Sequence, residues 1–97
     1  MAQIVWTLGA INDLDSIGEY IALDSELAAK KLIKEIISKA ELLADNPYRG
    51  RPIPDKFLGD YRQILHKSYR IIYSVKKDAI YISSIYHQKR LLFKLNN

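Results

Sequence analysis

The side chains of this 97-residue chain that could move a proton or neutralise a phosphate crowd into its second half. Arg62, His66, Lys67, Arg70, Tyr86, His87, Lys89 and Arg90 fall within "YRQILHK", "YRIIYSV" and "AIYISSIYHQKR". Such a set suits cleavage of an RNA phosphodiester without a metal. One group takes the proton of the 2′-hydroxyl, and another returns a proton to the departing 5′-oxygen. Cations hold the extra negative charge of the transition state. Histidine titrates near neutral pH, arginine offers a fixed fork of donors for phosphate oxygens, and tyrosine can stack a base or donate a hydrogen bond.

Each of these residues also has an ordinary reading. A histidine at a strand end is commonly solvated or structural, Arg70 can form a surface ion pair, and Tyr61, Tyr69, Tyr73 and Tyr81 suit a half-buried pleated surface. It is their shared concentration that raises the chemical reading. Other chemistries lack their residues. Cysteine is absent and the two histidines are 21 positions apart, so no metal-ligand spacing is present and no metal or cofactor is expected. No phosphate-binding G-x-x-x-x-G-K-[ST] loop occurs, and no serine sits in a nucleophile-elbow context.

Positioning these side chains requires a sheet. "QIVWT" is a short β-branched and aromatic run, read as a first strand. From Thr7 or Leu8 to about Leu23 the period changes: Ala10, Leu14, Ile17 and Ile21 form one apolar helical stripe. Asp24 or Ser25 can cap a second helix. Ala29, Leu32, Ile33, Ile36, Ala40 and Leu43 repeat the period until Pro47 stops it. "PYRGRPIPDKFLGD" reads as a loop, and the three strands after it are joined by the short turns "HKS" and "KKD", which make them antiparallel. The expectation is a single α+β domain over residues 1–97, ordered β-α-α-β-β-β. A helical hairpin covers one face of a mostly antiparallel sheet. If the tyrosine side of "YRIIYSV" packs on the helices, Arg70 points to the free face.

Charge divides the chain. Residues 1–46 carry four Lys and no Arg against eight Asp and Glu, a net of −4; residues 47–97 carry eleven Lys and Arg against three Asp, a net of +8. Six of the seven tyrosines lie in the basic part. A basic, aromatic half points to a polyanionic partner, nucleic acid or an acidic protein segment. No apolar run is long enough to span a bilayer and no secretory signal is visible, so no membrane partner and a cytoplasmic location are expected.

The chain resembles the RelE/ParE toxin superfamily of toxin–antitoxin systems. The resemblance is carried in order by Trp6 and "DLDSIGEYIA", "AAKKLIKEI", "NPYRGRP", "YRQI", "YRIIYSV" and "IYHQKR", over residues 4–90. It implies a growth-inhibiting toxin held by a cognate antitoxin. The first expectation it implies is a metal-independent endoribonuclease that cleaves mRNA on the ribosome; the alternative is a ParE-like inhibitor of DNA gyrase without catalysis of its own. A third reading is a degenerate toxin kept only as a partner of its antitoxin. By position, Arg70 matches the strand arginine of the nucleases, His87 the histidine of the YoeB-like members, and Arg62 a widely shared basic position. These three form the expected catalytic set, with Tyr86, Lys89, Arg90, Lys67 and Arg51 as substrate- or partner-binding residues. The glutamate of those nucleases has no clear counterpart; Asp55 is the nearest acid in the preceding loop.

Overall fold

The computed structural model describes residues 2–54 and 60–89. The order is β1 (Gln3–Trp6), α1 (Leu8–Ala22), α2 (Glu26–Glu41), a 3-10 turn at Leu42–Ala44, β2 (Arg51–Pro52), β3 (Tyr61–His66), β4 (Tyr69–Lys76) and β5 (Ala79–His87). The expected α+β order is present, with one addition. Within the segment read as a loop, Arg51 and Pro52 pair antiparallel with Gln63 and Arg62. Pro52 can do so because β2 lies at the edge of the sheet, where a strand tolerates a missing N–H.

The five strands run in the order β1-β5-β4-β3-β2. β1 pairs parallel with β5, and the remaining neighbours are antiparallel. Lys67 and Lys77, the first residues of the two tight turns, take φ of 55° and 52°. That left-handed region lets a short turn follow the twist of its strands.

The helices begin where their caps place them. The Thr7 hydroxyl accepts from the Ala10 N–H at 3.2 Å and itself donates to the Ile82 carbonyl at 2.7 Å. It therefore caps α1 and fixes it to β5. Ser25, rather than Asp24, caps α2 by accepting from the Ala28 N–H at 3.1 Å. Asp13 adds a second tie across the layers, accepting from the Ile85 N–H at 2.9 Å. It does so beside the register shift at Ile72/Tyr73, where Ser83 is left over from the pairing and the inward side chains pass from Ile82 to Ile85.

The core lies between the hairpin and one face of the sheet. Ile17, Leu32, Ile36, Ala40 and Leu43 bury against Tyr69, Ile71 and Tyr73 of β4 and Ile80, Ile82 and Ile85 of β5. Leu14 and Ile21, expected on the same stripe, are partly buried against it. The alternation of β4 therefore resolves as anticipated: Tyr69, Ile71 and Tyr73 face the helices, and Arg70, Ile72 and Ser74 face away. Among the described residues, no helix is long and apolar enough to cross a membrane.

Candidate functional site

The segment after Pro47 is held by one buried phenol. The Tyr73 hydroxyl donates to the Pro47 carbonyl at 2.9 Å and accepts from the Gly50 N–H at 2.8 Å. Burial pushes the phenol above its ordinary pKa, with the Gly50 hydrogen bond and the Arg62 charge opposing the shift. A Cβ at Gly50 would stand 2.5 Å from that hydroxyl and 2.8 Å from the Gln63 carbonyl, so only glycine lets the backbone pass. Arg62 completes the latch. Its Nη1 donates to the carbonyls of Gly50 at 2.9 Å and Tyr48 at 3.3 Å, and its guanidinium lies 5.0 Å from the centre of the Tyr48 ring. Its Nε is buried without a hydrogen bond, 3.8 Å from the Asp60 carboxylate.

The latch sets Arg49 and Arg51 on either side of Gly50. They meet Lys39 of α2 and Arg70 of β4 around a cleft of about 430 Å³ whose floor is Gly50, Gln63, Ile64 and Leu65. Arg70 is oriented by donating from Nη1 to the Gln63 side-chain oxygen at 2.6 Å. Among the described residues, no carboxylate lines the cleft. These four described cations together make a focused positive field, suited to an anionic ligand. Arginine's forked donors suit phosphate or carboxylate oxygens. Among the described residues, no group of three or more His, Cys, Asp and Glu could hold a metal ion.

His87 is placed elsewhere. It pairs with Tyr69, and the two rings meet edge-on with centroids 5.1 Å apart. Tyr69 belongs to the helix-facing set, so His87 lies on that side of the sheet, while Arg70 and its neighbour Tyr86 lie on the other. The Lys89 N–H donates to His87 Nδ1 at 3.2 Å, which leaves the ring proton of the neutral imidazole on Nε2. His66 shares the helix side, with its Nε2 2.9 Å from a Glu35 carboxylate oxygen; Lys67 Nζ approaches the same oxygen at 3.1 Å. The His66 hydrogen bond, then that of Lys67, holds the Glu35 carboxyl below its ordinary pKa.

Of the expected catalytic set, then, Arg70 lines the cleft, Arg62 is committed to the loop that builds it, and His87 lies across the sheet. Among the expected binding residues, Arg51 lines the cleft and Tyr86 pairs opposite Arg70. Lys67 sits in the β3–β4 turn, and Lys89 is exposed after β5. Arg90, like Asp55, lies outside the described residues. Sequence reasoning missed Lys39, Arg49 and Gln63 as lining residues. The signal for Arg49 was its symmetry with Arg51 about Gly50. For Gln63 it was the two-residue spacing to Leu65, which pairs with Arg70. Lys39 had no sequence-local signal, because it reaches the cleft from another layer.

Comparison with known proteins agrees with this architecture. A family model described as ParE toxin of type II toxin–antitoxin system, parDE, matches residues 4–92. Toxin RelE2 of Caulobacter vibrioides is 36% identical over 91 residues, spanning 94% of this chain and 100% of that protein. The putative toxin Y4kP of Sinorhizobium fredii is 42% identical over 50 residues, 52% of each chain. A solved chain of the chromosomal ParDE toxin–antitoxin system from P. aeruginosa superposes with a TM-score of 0.75 at 27% identity, covering 90% of this chain and 96% of that one. The toxin–antitoxin complex RelBE2 from Mycobacterium tuberculosis gives 0.69 at 18% identity, covering 89% and 96%, a likeness of fold alone.

Proposed function

The chain belongs to the ParE toxin family of type II toxin–antitoxin systems, and on that premise we propose that it arrests growth by binding a macromolecular target, DNA gyrase, with a cognate antitoxin holding it inactive. The observation that carries the choice of target is the separation of His87 from Arg70 by the sheet. Acid–base cleavage of a phosphodiester needs the proton carrier and the phosphate cation around one reacting group. Binding needs only a surface of oriented donors, which the cleft supplies. In this reading Arg49, Arg51 and Arg70 are the anchors, since arginine is the cation that most often dominates a contact. The ParDE toxin–antitoxin system among the similar structures supports the antitoxin partner.

One observation favours the expected mRNA endonuclease as a second reading: the contact with Lys89 N–H fixes an Nε2–H on the neutral His87 ring, a donor suited to hold a phosphate oxygen by a hydrogen bond. The two readings part in one experiment with the purified chain. A supercoiling assay with gyrase and relaxed plasmid tests the first, and end-mapping of a defined mRNA on ribosomes tests the second. Inhibited supercoiling with intact mRNA supports the gyrase reading. Cut mRNA with unimpaired supercoiling replaces it with the nuclease.

A further inference from the structure

Arg62 of β3 and Arg70 of β4 have opposite surroundings. Arg62 Nε lies 3.8 Å from the Asp60 carboxylate, and its Nη1 is spent on two carbonyls. Among the described residues, no carboxylate pairs with Arg70; its Nη1 donates instead to the side-chain oxygen of Gln63 at 2.6 Å. The register explains this contact. Gln63 pairs with Ile72 and Leu65 with Arg70, so Arg70 reaches its diagonal neighbour on the face away from the helices. On its other side Gln63 pairs with Arg51. An uncharged side chain therefore stands between two arginines that line the cleft.

That place would suit an acid. A glutamate has the shape of glutamine and would hold a guanidinium by a stronger, charge-assisted bond. It would also cancel one cation of the cleft. The amide does the first without the second. Its oxygen must be the atom that faces Arg70, because a guanidinium only donates and two donors cannot pair. A neutral acceptor thus fixes the fork of a long side chain and leaves the full charge for a ligand. The cost of ordering Arg70 is then met before anything binds.

We infer that Gln63 is a positioning residue, which holds Arg70 toward an anionic group of the target while keeping the cleft free of negative charge; this role rests on the binding reading above only for what that anion belongs to. Gln63 acts through Arg70, and its neutrality matters as much as its reach. Exchanging its amide for a carboxylate keeps the geometry and removes the function.

The test titrates the full chain with inorganic pyrophosphate at low ionic strength, read by NMR at the guanidinium resonances of Arg51 and Arg70. Gln63→Glu should melt at or above the native temperature and yet bind pyrophosphate about tenfold more weakly or worse, a combination that a merely structural role does not produce. Gln63→Leu should weaken binding about threefold or more, with loss of the ordered Arg70 signal. In an Arg70→Ala background, Gln63→Leu should add nothing further, because residues that act through one another are not additive. Native-like binding by Gln63→Glu overturns the role, and so does an equal loss from Gln63→Leu with and without Arg70, or a native chain that does not bind the probe. Should Gln63→Leu fail to fold, the isosteric Gln63→Glu decides alone. Gyrase supercoiling is scored separately with the same proteins. Inhibition without coupling between Gln63 and Arg70 removes this role alone; coupling without inhibition leaves the role standing and removes the gyrase reading.

Discussion

The phenol of Tyr73, at the centre of the sheet, accepts a 2.8 Å hydrogen bond from the backbone of Gly50, 23 residues earlier in the chain. This contact connects the core to the cleft, because the two residues beside Gly50 are the arginines that line it. The buried interior thereby sets where the surface charge stands.

Gly50→Ala is expected to lose stability by about 1–3 kcal/mol, because the new methyl group meets the Tyr73 ring, its hydroxyl and the Gln63 carbonyl. Urea denaturation measures the loss. An unchanged midpoint would mean that the loop is free to move away from Tyr73.

Tyr73→Phe leaves the Gly50 N–H without its partner and should cost roughly 1–3 kcal/mol. The loss has a pH signature. The folded-state pKa of Tyr73 is raised by burial, so its contribution is fully present below the ordinary tyrosine pKa and falls as pH rises through the folded value. The native chain should lose stability on the alkaline side, and the Phe variant should lose less over the same range. Melting temperatures compared between neutral pH and about pH 11 test this.

Glu35 has the opposite sign. Its folded-state pKa is depressed, chiefly by the His66 hydrogen bond and then by Lys67. Its contribution is present above the ordinary carboxylate value and is lost as pH falls through the folded one. Glu35→Gln should therefore melt below the native chain at neutral pH and converge with it in acid. A gap that stays constant with pH would mean that the charge of Glu35 does nothing for stability.

Ile36 is fully buried where α2 crosses the sheet. Ile36→Ala should cost about 2–5 kcal/mol by denaturant titration, depending on how far the surrounding core can collapse.

How much of this was legible in the sequence follows from the range of the forces involved. The stripe from Ile17 to Leu43 and the inward set of β4 came directly from period, since burial imposes 3.6 on a helix and 2 on a strand. The placement of Arg70 away from the helices followed from the same alternation. The position of His87 did not. It depends on the register of β5 against β4, and the shift at Ile72/Tyr73 changes which residues of β5 face the helices. One residue of slip exchanges the faces of a strand, and no local pattern announced it. Arg62 resembled a phosphate ligand because its neighbours did. Its carbonyl partners at Tyr48 and Gly50 become visible only once the loop is folded back on β3. The short strand at Arg51–Pro52 was hidden by the proline and glycine around it.

The most direct test of inhibition by binding is a gyrase supercoiling assay run with the native chain, His87→Ala and Arg70→Ala, with mRNA end-mapping on ribosomes in parallel. Inhibition by the native chain and by His87→Ala at similar concentrations is expected. Folded Arg70→Ala should inhibit about tenfold more weakly, or less still, as for an arginine anchor, and none of the three should produce new mRNA ends. New ends carrying 2′,3′-cyclic phosphate, abolished in a folded His87→Ala protein, would overturn inhibition by binding.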